Sequence, residues 1–244
     1  MTVSYLPEPY YRDDCGELYC GDARKLLPLI ERADLVNTDP PYNVGKDYGT
    51  AADDLAEADY KDFMAAVVKE CLRIAQSQFW VAPRYKMALW TELLPNAHLI
   101  VIRRGAAGLF RSGWSDQFET ALAIGKPNKC IPDLWSDIRL KSEGYYFREE
   151  TYGHPGYTPS GIFARACNLL SEVGRIVIEP FAGTGTSLVV AKEQGRQYIG
   201  IEINPAYCEV AAKRLRTTAV KPSLIPEQHA RVSPGGQQRL WTNR

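Results

Sequence analysis

Along this chain, short apolar runs alternate with segments whose apolar positions fall at helical intervals. Residues 17–20 read as a strand that ends at Gly21-Asp22, and residues 23–30 follow with Leu26, Leu27 and Ile30 at helical spacing. Residues 34–37 form a buried-strand pattern that stops in Asp39-Pro40-Pro41-Tyr42, because two prolines remove donors and fix φ. A glycine-spotted loop (43–50) and an acidic linker precede residues 60–75, where Phe63, Ala66, Val67, Cys71 and Ile74 predict a helix. Strands are predicted at 78–82, 99–103 and 118–124. From 126 to 157 the periodicity vanishes, which predicts a long irregular insertion outside the core. It returns as a helix over 159–170 and then as a βαβ unit: strand 175–178, glycine turn, helix 186–194, strand 197–201. A last helix, 205–216, opens with Asn204 as its cap and Pro205 at its first position. Strands alternating with helices predict a mostly parallel α/β sheet with helices on both faces. The expected organisation is one domain over 1–216, with 126–157 inserted and 217–244 as a mobile tail.

Composition narrows the classes. With 244 residues, 45% hydrophobic and 24% charged, the chain has ordinary globular usage, which excludes a disordered or coiled-coil protein. Its 29 Lys and Arg balance 29 Asp and Glu, so any nucleic-acid partner must be held by a local patch. The longest apolar stretches, 99–102 and 188–191, are far short of the roughly 20 residues that span a membrane. Residues 1–11 lack the basic flank and apolar core of a secretory signal, and the expected compartment is the cytoplasm. The six cysteines form no Cys-x-x-Cys pair and no metal-ligand spacing, so they are expected as free thiols with no metal.

Two turns carry candidate chemistry. Glu179-Pro180-Phe181-Ala182-Gly183-Thr184-Gly185-Thr186 joins a strand to a helix, where backbone N–H groups and a helix N-terminus face the sheet edge. Leu188 stands where a dinucleotide fingerprint needs glycine or alanine, and no P-loop lysine follows. Glu202, at the tip of the next strand, is placed to accept from both hydroxyls of a ribose, which favours an adenosine cofactor without a diphosphate. In the Asp39-Pro40-Pro41-Tyr42 turn a carboxylate, the Pro40 carbonyl and an aromatic ring converge. That trio complements a base amino group, which has two N–H donors and a ring to stack. The amine becomes nucleophilic when both hydrogens are accepted and the nitrogen pyramidalises.

Together the two turns resemble those of the DNA amino-methyltransferase family, which moves a methyl group from S-adenosylmethionine to adenine N6 or cytosine N4. The Asp-Pro-Pro-Tyr turn precedes the Phe-x-Gly-x-Gly turn, which resembles the permuted, beta-type order. The resemblance implies a Rossmann-like S-adenosylmethionine-dependent methyltransferase fold and makes Asp39, Pro40 and Tyr42 catalytic. It places Phe181, Gly183, Gly185 and Thr186 around the cofactor, Glu202 on its ribose, and Asp22 near its adenine. Asp39 would border the cofactor as well, and Glu179 stands where the family commonly has Asp. In His154-Pro155-Gly156-Tyr157-Thr158-Pro159-Ser160 the family's usual lysine is missing, so Thr158 or Ser160 is expected on the methionine carboxylate.

The family reading makes double-stranded DNA the partner and 126–157 a target-recognition region. Lys126, Lys129, Arg139 and Lys141, interleaved with Trp135 and Tyr145, suit phosphate contacts and an extruded base, although Asp133, Asp137 and Glu143 offset their charge. Asn43, Arg103, Arg104 and Arg111 are further candidates for the nucleic-acid side. Asp at the first motif position leans towards adenine over cytosine N4. RNA or protein glutamine methylation, a non-catalytic subunit and a nucleotide-dependent oxidoreductase remain as alternatives. Pairing with a second copy of the chain stays open.

Overall fold

The computed structural model describes residues 5–47, 53–103, 118–136 and 158–221, together with the backbone of 110–111 and 114–115. Arg104, Arg139, Lys141, His154, the Arg111 side chain and the tail from 222 lie outside the described residues. The hairpin β1 (Tyr11–Asp13) and β2 (Gly16–Cys20) leads through α1 (Ala23–Leu26) to β3 (Leu35–Thr38), and α2 (Glu57–Ile74) leads to β4 (Ser77–Val81). There follow α3 (Met87–Leu93), β5 (His98–Arg103), the pair β6 (Phe110–Arg111) and β7 (Trp114–Ser115), β8 (Phe118–Ile124) and β9 (Leu134–Trp135). The described chain closes with α4 (Ser160–Leu170), β10 (Ile176–Glu179), α5 (Thr186–Glu193), β11 (Gln197–Glu202) and α6 (Pro205–Thr217).

Nine of the described strands form one sheet in the order β1-β2-β11-β10-β3-β4-β8-β5-β9. The five strands from β2 to β4 are parallel, whereas β8 runs antiparallel between β4 and β5. Successive strand residues face opposite sides. Leu18, Leu35, Phe79 and Val177 pack with Ile162 of α4, Leu188 of α5 and Cys208 of α6. Tyr19, Val36, Trp80 and Ile178 pack with Leu26 of α1, Met64 of α2 and Trp90 of α3. A slip of one residue would exchange these two faces, and burial of each such side chain contributes about 1.5–3 kcal/mol, so the register is fixed.

Neighbouring strands β10 and β3 send their helices in opposite directions, β10 through α5 to β11 and β3 through α2 to β4. Their carboxyl ends therefore flank the crevice where open α/β sheets bind ligands.

Four expectations are corrected. The helix expected over 23–30 tightens after Leu26 into a 3₁₀ turn, Leu27–Leu29, because Pro28 cannot continue the α-helical ladder. The segment 126–157 is not wholly outside the core: β9 pairs with β5, and Trp135, 1% exposed, stacks on Phe79 with centroids 5.5 Å apart. Trp135 is thus a core residue and no wedge for a base. The expected tail begins later than 217, since Lys221 donates through its amide to the Glu193 carbonyl (2.9 Å) and through Nζ to the Glu193 carboxylate (2.7 Å). Lys126 follows the antiparallel β8 and so emerges at the amino edge of the parallel strands, in a groove with Arg32, Arg73 and Arg175. A strand length, about 15 Å, separates that edge from the Asp39 turn.

Candidate functional site

The crevice at the β10–β3 junction holds a cavity of about 310 Å³. One wall comes from the turn after β2 (Gly21, Asp22) with Arg24 of α1, the turn after β10 (Pro180, Phe181, Gly183) and the tip of β11 (Glu202, Ile203). The other comes from the turn after β3, Asp39 to Asn43 with Lys46 and Asp53, backed by Tyr60 and Phe63 of α2. The two motifs read from sequence thus face each other across one space.

Asp39 is the central acid. One carboxylate oxygen accepts from the Tyr42 hydroxyl and the other from Thr158 Oγ1 at 2.5 Å. Burial raises its pKa against the pull of those two hydrogen bonds and of the Lys46 charge. Thr158 was expected on a methionine carboxylate; its hydroxyl instead orients Asp39, and it does not line the cavity. Tyr60 Oη donates to the Pro41 carbonyl (2.9 Å), fixing the proline corner to α2.

The loop after Tyr42 is held from within. Asp53, 4% exposed, accepts from the amides of Asn43 (2.8 Å), Val44 (3.1 Å) and Lys46 (3.0 Å). The Asn43 side chain pairs with the Leu55 backbone, donating to its carbonyl (2.8 Å) and accepting from its amide (2.7 Å). Asn43, offered on sequence for nucleic acid, therefore serves the loop at φ 55° while still lining the cavity.

On the opposite wall Glu202 is clamped by backbone: Oε2 accepts from the Gly183 amide (2.7 Å) and Oε1 from the Asn204 amide (2.8 Å). Desolvation raises its pKa, and these amides oppose the rise. Gly183 has φ 51°, a backbone that aims its N–H at Glu202. Gly185, at φ 81°, serves packing, because a Cβ there would lie 2.9 Å from Ala211 Cβ on α6. Thr186 Oγ1 accepts from Arg214 (3.1 Å). Neither Gly185, Thr186 nor Ser160 lines the cavity. Asp22 caps α1 through the Arg24 amide (2.9 Å) and pairs with the Arg24 guanidinium at 2.6 Å; these bonds lower its pKa despite desolvation by burial. Arg24 in turn stacks over Phe63, and the Phe63 ring meets that of Phe181 at 5.9 Å.

Glu179 departs most from its expected place. It lies behind the cavity wall, 2% exposed, and accepts from the Thr38 hydroxyl and the Phe181 amide (3.0 Å), with the Asp39 amide adding to the same carboxylate. One side chain thereby joins the turn after β3 to the turn after β10. Burial, together with the nearby Asp39 charge, pushes its pKa up to about 8 against those hydrogen bonds.

Of the basic candidates, Arg103 is exposed at the carboxyl end of β5, the same edge as Asp39, because β5 and β4 both run antiparallel to β8. Lys129, also exposed, follows Asn128, whose amide is anchored to the Leu169 carbonyl (2.8 Å). Sequence reasoning missed Thr38, Lys46, Asp53, Tyr60 and Phe63. Phe63 reads as helix core, Tyr60 as the start of that helix, and Asp53 as part of an acidic linker.

No described helix is long and apolar enough to cross a membrane, and no metal-ligating group of side chains occurs among the described residues. A DNA methylase family of N6- and N4-methyltransferases matches residues 114–213. The Type II methyltransferase M.HpaI of Haemophilus parainfluenzae is 28% identical, over 81% of this chain and 73% of its own. The DNA adenine methyltransferase YhdJ of Escherichia coli K12 is 27% identical, over 80% and 81%. In fold the chain is similar to the cytosine-N4-specific PvuII DNA methyltransferase, with TM-score 0.67 and 19% identity, covering 86% of this chain and 90% of that one.

Proposed function

As the chain belongs to the N6/N4 DNA methylase family, we propose that it transfers the methyl group of S-adenosylmethionine to a base amino group in DNA, and that the base is adenine. The observation that carries this reading is the meeting, in one cavity, of the Asp39-Tyr42 turn with the glycine turn closed by Glu202.

The residues present suit the cofactor. The clamped Glu202 carboxylate keeps lone pairs for ribose hydroxyls, Phe181 offers a ring, and Asp22 and Arg24 close the same wall. When bound, S-adenosylmethionine supplies an electrophilic methyl group on a sulfonium. The chain's own residues prepare the nucleophile. Asp39 and the Pro40 carbonyl accept the two amine hydrogens, which draws the nitrogen lone pair out of the ring. Tyr42 gives the base a stacking face and keeps Asp39 oriented through its hydroxyl. The raised proton affinity of Asp39 suits it to hold the proton that the amine gives up.

Glu202→Gln tests the cofactor wall. Its amide NH₂ would oppose one of the two backbone N–H donors, so S-adenosylmethionine affinity should fall by about 1–2 kcal/mol, or five- to thirtyfold, in calorimetric titration. Unchanged affinity would remove Glu202 from the cofactor site.

The Asp at position 39 favours adenine, while the fold likeness to a cytosine-N4-specific enzyme favours the other amine. Methyl-labelled cofactor, unmethylated duplex DNA and digestion to nucleosides decide between them. Label in N6-methyldeoxyadenosine is expected; label in N4-methyldeoxycytidine would overturn the base assignment alone.

A further inference from the structure

Lys46 has no part in either sequence motif, yet it stands in the cavity beside Asp39 and Tyr42. Its backbone amide is fixed by the buried Asp53 (3.0 Å), and the next amide back, that of Gly45, is held by the Asp53 carbonyl at 2.7 Å. The root of the side chain is therefore rigid. Nζ lies over the Tyr42 ring, 5.7 Å from its centroid. Among the described residues no carboxylate forms an ion pair with it, whereas the other lysine nearby, Lys86, pairs with Glu57 at 2.6 Å.

A base that stacks on Tyr42 competes for the ring with this cation. The displaced ammonium is tethered at the cavity rim, where it already acts on the Asp39 charge, and the further anion that arrives with the base is its own phosphate. We propose that Lys46 is a placeholder on Tyr42 that moves, on entry of the target nucleotide, to bind the phosphate flanking that nucleotide. The inference rests on the DNA reading above and adds a binding residue to it. In the free protein the cation–ring contact keeps the platform ordered and covered. In the complex the same charge holds the extruded nucleotide by its backbone, without reading its identity.

The experiment compares wild type, Lys46→Gln and Lys46→Arg on one duplex that the wild type methylates. Affinity is measured as a function of salt, and S-adenosylmethionine affinity is titrated separately. Loss of one phosphate contact should lower the slope of log K against log salt by about 0.9 in Lys46→Gln and weaken binding five- to tenfold at low salt. Lys46→Arg should restore most of the slope, since arginine keeps the charge and the reach. Replacing the phosphates beside the methylated base by neutral methylphosphonates should weaken the wild type and leave Lys46→Gln unaffected. An unchanged salt slope, or a methylphosphonate penalty equal in both proteins, would overturn the proposal. So would a loss confined to cofactor affinity, which would assign the ammonium to the methionine carboxylate. Absence of any methylation of DNA by the wild type would instead refute the DNA reading, independently of Lys46.

Discussion

Asp39→Asn is expected to lower methyl transfer by roughly a thousandfold, in line with removal of a preorganised acceptor from a charge-developing site. The substitution keeps volume and one acceptor oxygen. The Tyr42 and Thr158 hydroxyls that now donate to the carboxylate can rotate, one of them to accept from the new NH₂. The turn therefore survives, and cofactor affinity and thermal stability should stay near those of the wild type. What is lost is an acceptor for the amine hydrogen and a place for the proton it releases. Single-turnover transfer, with cofactor titration on the same sample, separates these effects. Transfer within tenfold of wild type would take Asp39 out of the chemistry.

Glu179→Gln should change the pH dependence of stability. The folded pKa of Glu179, about 8, lies above the ordinary carboxyl value of 4.5, so its neutral form is the one the fold favours. Below 4.5 both folded and unfolded chains carry the proton, and the group has no differential effect. Between 4.5 and 8 the unfolded chain has released it while the folded chain retains it, so wild-type stability falls by about 1.4 kcal/mol per pH unit from this group. Glutamine is neutral throughout. The variant should match wild type near pH 4.5 and exceed it by roughly 4 kcal/mol at pH 8 in chemical denaturation. A stability difference independent of pH would show that Glu179 is ionised in the fold. The link it makes between Thr38, Asp39 and Phe181 is also what couples the two turns, and the shorter Glu179→Asp should loosen both.

The sequence shows the parts of this site that are local in the chain. The β10–α5–β11 unit is read from period-two and helical spacing around Gly183 and Gly185, and the Asp39 turn from its prolines. Glu202 is placed at a strand tip by the same pattern. Long-range features escape it. Trp135 sits in a stretch without periodicity, and only its stacking on Phe79 from β4 makes it core. Thr158 finds Asp39 across 119 positions of sequence. Nothing near Glu179 states that its side chain bridges to β3 instead of entering the cavity. Lys126 is expected at the site because the family resemblance places target recognition in 126–157, whereas the antiparallel β8 delivers it to the other edge. Lys46 and Asp53 sit in a loop whose polar residues carry no period, so their mutual arrangement is visible only in three dimensions.

The most direct test of the central claim offers the protein, with methyl-labelled S-adenosylmethionine, three acceptors in one reaction: unmethylated duplex DNA, total RNA and a protein extract. The account predicts label in the DNA fraction, released by deoxyribonuclease digestion and absent from the other two. Label in RNA or protein with the DNA unlabelled would contradict it.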